Sequence, residues 1–538
     1  MARAKCIAAL ILLVVALALG ACLRVHEIRA KPQIAHDEVA TLLAATGHMG
    51  AYEVAANGGL SGRWVPASQW KAFLQPGAFW DFGTIATDLA HYDNHPPLFF
   101  WLLHVWVAVF GVTLTSAAYF NVVIAALATL CLFGLARRVL GDALEAGLVA
   151  LVWSLSPPVI ATSFMARHYD MLALMTIVFV WLLVRATDGE RRLRWYDVAA
   201  VALAAAAGML THYQFAIVAV GGAVYAVAKL ARHHVRRLLL LAAALPAALV
   251  LFVAGMPHFA SSLSHQAGQV RHLTSAAVRE RLYQVKAAIA AFFGLHARQI
   301  ALLALALIVV ALALALLARL PATRRVAGRL RGEISRSGWG MLFFAVWIGG
   351  GTVAFYLMGR SPDYAMHDRY LAALWPFLAI AVVLAARLLG RLAPLAVVLF
   401  CGLALLPATL AWIKIVPFGV YRADTKLADV RFDDTAAVAL TGAGGLLIDD
   451  VQRSMLLRTV WWLKDDAPVY AAWQADLLAV PPKWAPLLFA GYIYATAFDK
   501  TNSWAGVANV RELIRQQGWT DSPISSPGWG VARLYRLE

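Results

Sequence analysis

The chain is punctuated by apolar runs of the length that a lipid bilayer demands. A helix rises about 1.5 Å per residue, so it needs roughly 20 apolar residues to cross a hydrocarbon core ~30 Å thick. Such runs lie near residues 6–23, 117–136, 146–162, 169–184, 197–214, 215–228, 238–255, 299–318, 339–358, 370–386 and 394–412. They predict a polytopic α-helical membrane protein of about eleven spans. Composition agrees: 62% of the residues are hydrophobic and 14% are charged, where soluble domains carry about 25% charged residues. A soluble enzyme, a disordered chain and a disulfide-stapled secreted domain are all excluded. Cys6, Cys22, Cys131 and Cys401 have no partner at metal or redox spacing. Leu19-Gly20-Ala21-Cys22 resembles a lipobox, but it closes an ordinary first span that starts behind Arg3 and Lys5.

Basic residues then assign the sides. A net charge of +16 in a soluble domain would suggest nucleic acid, but here the cations sit in short clusters between apolar runs. Arg137/Arg138, then Arg185 with Arg191, Arg192 and Arg194, then Lys229 with Arg232, Arg236 and Arg237 follow alternate spans. So do the cations from Arg319 to Arg336, and Arg387 with Arg391. With the N-terminus inside, every cluster is cytoplasmic, as the positive-inside rule requires. The short apolar segment Pro97–Gly111 would invert that pattern if it crossed fully, so it is assigned to the outer interface.

The outer segments follow: 24–116, 163–168, 211–213, 256–298, 359–369 and everything after 413. Two domains are expected. Residues 1–412 form the transmembrane domain, with interfacial helices in its outer loop 24–116. Residues 413–538 form a small outer-face α/β domain, the C-terminus outside. Within it Gly445–Ile448, Pro468–Ala472, Tyr492–Ala497 and Val531–Leu537 read as strands. Arg453–Leu463 and Ala505–Gln516 read as helices.

Five polar constellations fall on that same outer side. His36-Asp37-Glu38 follows the first span and offers a general base, a set of cation ligands, or plain solvated charge. In His91-Tyr92-Asp93-Asn94-His95-Pro96-Pro97-Leu98 the prolines fix the backbone that carries two histidines and an aspartate. Met165-Ala166-Arg167-His168-Tyr169-Asp170 opens a span. Its arginine suits phosphate, because a guanidinium stays charged and presents forked donors. Thr211-His212-Tyr213 and Met366-His367-Asp368-Arg369-Tyr370 complete the set. Taken singly, each has a plainer reading as an interfacial anchor or a snorkelling cation. Their common side points to an outward-facing active site at the bilayer surface.

These motifs resemble the C-type (GT-C) membrane glycosyltransferases. The nearest group is family 39-like, related to protein O-mannosyltransferases and lipid A aminoarabinose transferases. The matching pieces are His36-Asp37-Glu38, Asp93-Asn94-His95-Pro96-Pro97-Leu98-Phe99-Phe100, Ser156-Pro157-Pro158 with Ala166-Arg167-His168-Tyr169, and Arg369-Tyr370. The resemblance implies a GT-C architecture and an inverting transfer of a sugar from a polyprenyl-phosphate carrier. The acceptor would be a hydroxyl of a glycan, glycolipid or protein on the outer face of a bacterial cytoplasmic membrane. By the same resemblance Asp37 is the catalytic base, with Glu38 orienting the acceptor or binding a cation. Arg167, Arg369 and His95 would hold the donor phosphate. His36, His91, Asp93, Tyr169, His212 and Tyr370 would line the substrate site. A divalent cation is the one cofactor the resemblance leaves open, with Asp37, Glu38 and His95 as its candidate ligands. The aminoarabinose transferases carry lysine where His95 stands. Membrane lipid is a partner and nucleic acid is not.

Two other readings are open. A lipid or sugar transporter would place ionisable groups near the bilayer midplane and show repeats, whereas these charges lie at span ends. Another outer-face membrane transferase would need a nucleophile or metal cluster on the soluble domain, and the tail offers none that is convincing.

Overall fold

The computed structural model describes residues 2–29, 36–93, 95–113, 115–165, 167–256, 258–259, 274–295, 336–358, 367–388, 393–415, 445–448, 453–472, 487–492, 521–523 and 532–537. By internal contacts the chain divides into two compact units. The first comprises Met1–Ile28, Asn94–Phe99 and Ala118–Tyr421; the second comprises Arg29–Asp93, Phe100–Ala117 and Arg422–Glu538.

The first unit is helical. Among the described residues, six helices are long and apolar enough to cross a membrane, or seven if one bent pair counts as a span. The helices Trp195–Thr211, Phe215–Leu230 and Trp375–Arg387 are apolar but shorter. The expected span at 299–318 lies outside the described residues. The first helix, Ala2–Arg29, runs six residues past the apolar stretch. It can do so because Arg24 is buried with partners: its guanidinium donates to Ser163 Oγ at 2.8 Å, Gly20 O at 3.0 Å and Val159 O at 3.4 Å.

The single span expected at 146–162 is broken. Asp142 caps the helix Ala143–Leu155 by accepting from the amides of Leu144 and Glu145. The chain then turns extended at Ser156, since a residue before proline avoids the helical region. Pro157 and Pro158 start a second short helix, Pro157–Ser163, bent by 63° from the first. In the segment expected as the loop 256–298 stands a further helix, Ser275–Phe292, capped by Thr274. Ring stacking of Phe292 on Trp375 at 5.4 Å ties it to the bundle.

Among the described residues, cations of the basic clusters meet at one end of this unit. Arg138 pairs with Asp188 at 2.7 Å, Lys5 with Asp142 at 3.2 Å, and Arg191 with Asp197 at 3.1 Å. Arg387 pairs with Glu145, and the Arg237 guanidinium donates to the carbonyls of Asp188 and Arg191. The helix Tyr169–Ala186 has Arg185 at this end and follows His168 at the other.

The second unit holds a six-stranded mixed sheet in the order β1-β3-β2-β4-β6-β5. Its strands are β1 Trp64–Pro66, β2 Leu446–Ile448, β3 Pro468–Ala471, β4 Leu487–Tyr492, β5 Asp521–Pro523 and β6 Ala532–Leu537. β2 lies parallel to β3 and β4, with Leu447 opposite Tyr470 and Phe489. The helix Arg453–Val460 makes the crossover that a parallel pair needs. β1 comes from the segment that follows the first helix and pairs antiparallel with β3, Trp64 opposite Tyr470. Both edge strands carry a proline, Pro66 and Pro523, where a missing amide costs no ladder bond.

The sequence places β2, β3 and β6 correctly to within a residue or two. It puts β4 at Tyr492–Ala497, whereas the strand is Leu487–Tyr492. The continuous apolar run Leu487-Leu488-Phe489-Ala490 shows no alternation, so a period of two does not detect it. β1 and β5 were not expected. The helix expected at Ala505–Gln516 lies outside the described residues.

The second unit also contains the helices His36–Ala45, Met49–Val54 and Phe82–Tyr92. The helix Leu98–Phe110 has 13 residues, about 20 Å at the usual rise and short of a full crossing. His104 on it is fully buried, with Nδ1 donating to Ala45 O at 2.7 Å.

Candidate functional site

The proline break delivers the chain into the turn 163–168, and buried polar groups hold that turn. Arg24 grips Ser163. Asn121, wholly buried, donates both amide hydrogens to the turn, to Met165 O at 2.6 Å and Arg167 O at 3.0 Å. Thr162 donates to Asp170 Oδ1 at 2.6 Å, and Asp170 lies within electrostatic reach of Arg24. The turn therefore holds Arg167 and His168 in fixed positions, both buried.

Around it the first unit assembles a ladder of rings. The His168 imidazole lies 4.6 Å from His95, 4.6 Å from His212 and 4.7 Å from Tyr169, centre to centre. Tyr169 faces Tyr370 at 5.8 Å, and Tyr370 stacks on Tyr356 at 4.5 Å. Arg369 lies over Tyr169 and Tyr370, 5.7 and 5.6 Å from the ring centres, as a cation does on an aromatic face. The Arg281 guanidinium, buried, donates to Tyr356 O.

The 212–214 turn is tied to the same place. His212 Nδ1 accepts the Gln214 amide at 3.0 Å, while Gln214 Nε2 donates to Thr352 Oγ1 and Tyr370 O, each at 2.7 Å. Burial comes first, then nearby His212, His95, Arg167 and Arg369, in pushing the His168 imidazole well below the ordinary histidine range. It is neutral at neutral pH.

Six of the residues singled out from sequence thus come together in the first unit: His95, Arg167, Tyr169, His212, Arg369 and Tyr370. Asp37, Glu38, His91 and Asp93 belong to the second unit. Asp37 and Glu38 occupy the first turn of the helix His36–Ala45, where the positive end of the helix dipole favours carboxylates. Glu38 is buried and Asp37 half-buried. The His36 side chain lies outside the described residues. Asp93 ends the helix Phe82–Tyr92, and exposed His91 donates from Nδ1 to Thr87 O at 2.8 Å.

Sequence reasoning missed Arg24, Asn121, Gln214 and Arg281 as members of this assembly, and quoted His168 and Asp170 without giving them a role. A signal existed for two of them. Asn121 interrupts an apolar run and Arg24 closes one, and polar groups at membrane depth mark functional ground.

Residues 94–258 match the family described as dolichyl-phosphate-mannose-protein mannosyltransferase, a stretch that includes His95, Arg167, His168, Tyr169 and His212. A comparison with curated protein sequences gives no significant match. Among solved structures, ArnT from Cupriavidus metallidurans in the apo state superposes with a TM-score of 0.55 at 13% identity, over 98% of this chain and 97% of that one. The same protein bound to undecaprenyl phosphate gives 0.54 at 12% identity, over 97% of each chain. The chain has the GT-C fold. The archaeal oligosaccharyltransferase AglB from Archaeoglobus fulgidus gives a TM-score of 0.41 at 14% identity, over 85% of this chain and 64% of that one, too loose a likeness to carry an argument. The fold is thus shared along nearly the whole chain, and the family match covers residues 94–258.

Proposed function

We propose that this protein is an inverting glycosyltransferase that moves a sugar from a polyprenyl-phosphate carrier to an acceptor hydroxyl on the outer face of the cytoplasmic membrane. The acceptor oxygen bonds to the anomeric carbon as the bond from that carbon to the phosphate oxygen breaks, and the carrier leaves as polyprenyl phosphate. Asp37 takes the hydroxyl proton, a task a carboxylate beside the acceptor performs in the transition state. Arg167 and Arg369 hold the phosphate, whose growing charge needs preorganised cations, with His95, Tyr169, His212 and Tyr370 lining the site. Glu38, His36, Asp93 and His91 are assigned to the acceptor side.

The observation that carries this reading is the meeting of Arg167 and Arg369 with that aromatic set around the turn 163–168, a turn that lies in the stretch matching the mannosyltransferase family. Binding of undecaprenyl phosphate to the purified chain tests it. Lysine at 167 keeps the charge and loses the fork, so Arg167→Lys should bind weakly and Arg167→Ala hardly at all. Equal affinity in all three proteins would remove Arg167 from the site.

A further inference from the structure

His95, His168 and His212 come from three separate turns of the first unit. One ring nitrogen of each falls within 4.8 Å of the other two. We propose that these three histidines form a divalent-metal site of the zinc class with one coordination position open.

Three imidazoles without a carboxylate or thiolate suit zinc, cobalt, nickel or copper and are poor ligands for magnesium or calcium. Three protein nitrogens plus an open position is also the arrangement of catalytic rather than structural zinc. Nitrogens bound to one zinc at about 2.0–2.1 Å stand roughly 3.3 Å apart in a tetrahedron, so small side-chain rotations close the set. Two of the rings are already held: His95 is followed by two buried prolines, and His168 is wholly enclosed. His95 is half-exposed and gives the ion a way in.

Two features oppose loading and define the open position. A ligating imidazole carries its proton on the other ring nitrogen, so His212 must turn and give up the Gln214 amide. Arg167 and Arg369 add positive charge near His168, so the ion needs an anion beside it. A phosphoryl oxygen in the open position meets both the metal and the arginines. Metal and phosphate should then bind with positive coupling, each raising the affinity of the other by the same factor. The coupling rests on the donor-phosphate reading of this site, whereas the ion itself does not.

The test uses the full chain purified on a tag without histidine, stripped with chelator and titrated with Zn2+ or Co2+. It is run in chloride buffer, with inorganic phosphate, and with undecaprenyl phosphate. The expected result is one equivalent of zinc per chain and the visible bands of low-coordinate Co2+. Losing a direct ligand should cost more than the 10–100-fold typical of outer-shell partners, so His95→Gln and His212→Gln should each bind zinc about 100-fold or more weakly. Exposed His233→Ala should load like the wild type. Thermal unfolding without metal separates lost binding from lost fold, since both glutamine variants should match the stripped wild type. Wild type that takes up no zinc in any buffer, or folded His95 and His212 variants that load normally, overturns the site. Affinity unchanged by either phosphate overturns the open phosphoryl position, and tightening by the lipid alone names the carrier headgroup as its source.

Discussion

Asp37 is the residue on which the proposed chemistry turns, and it stands in a first helical turn beside buried Glu38. Asp37→Asn keeps shape and hydrogen bonding and removes the base. Turnover should fall about 100-fold or more, the usual worth of general acid–base catalysis, while carrier binding persists. Near-normal turnover, followed as polyprenyl phosphate released from membrane-extracted donors, would return the cluster to solvated loop charge. Asp88 offers a test of a different kind. It accepts the Gly50 amide at 2.7 Å, and Gly50 has no room for a side chain, because a Cβ there would stand 2.6 Å from the carboxylate. Burial raises the Asp88 pKa above the ordinary carboxylate value and Asp81 adds to this; the Gly50 amide, His91 and His48 pull the other way. The folded state therefore keeps this proton to higher pH than the unfolded chain. The stabilisation is fully present below the ordinary carboxylate range and is lost as pH rises through the raised value. Asp88→Asn is neutral throughout, so hydrogen-exchange protection of residues 49–92 should lose part of its pH dependence; an unchanged profile would refute the argument. At this scale the sequence was readable where residues clustered along the chain, as in Arg167-His168-Tyr169. It was silent on Arg281 and Gln214, whose partners Tyr356 and Tyr370 are supplied only by folding.

The turn 163–168 shows how elements place residues. Prolines at 157 and 158 were visible in the sequence, but a kinked span and a straight one share the same hydropathy, so the 63° bend was not. The same holds for the helix Ser275–Phe292, whose weak amphipathy over a polar stretch reads as loop until Phe292 finds Trp375. Asn121 is the element-scale probe. Its amide makes two hydrogen bonds to the turn from inside the helix Ser116–Leu140. Asn121→Ala leaves two buried carbonyls without those donors and should cost about 1–3 kcal/mol. Because one of them belongs to Arg167, undecaprenyl-phosphate affinity should drop as well. Thermal unfolding and lipid binding measured together decide this, and a variant that loses stability with full affinity would show that the turn does not position Arg167.

For the whole molecule, alternation of apolar runs with basic clusters carried most of the information. The prediction that those clusters share a face agrees with the ion pairs joining Lys5, Arg138, Arg191 and Arg387 to acids at one end of the bundle. The exposed pairs among them, Lys5–Asp142 and Arg138–Asp188, stabilise little, but all four report geometry. Which side that end faces is open to a direct test. On a background with Cys6, Cys22, Cys131 and Cys401 replaced, a cysteine at Ser264 or Asn502 should react with an impermeant thiol reagent from outside, and one at Gly189 or Gly328 should not. The opposite pattern would reverse the sidedness and strand the proposed site. Hydropathy could not foresee that β1, in the first long loop, completes a sheet whose other strands lie some four hundred residues later. The residues flanking β1 are tied to the same late segment: Ala471 and Ala467 accept from the amides of Gly62 and Ala67, and Asp465 pairs with Lys71 at 2.7 Å. A ribosome makes roughly 5–20 residues each second, so Trp64–Pro66 emerges tens of seconds before β3 exists. Until then the strand has an unpaired edge and Trp64 lacks the Tyr470 ring it packs against. The arrival of β3 is thus a late event in biogenesis, and the first loop acquires its final form only when nearly all of the chain has been made.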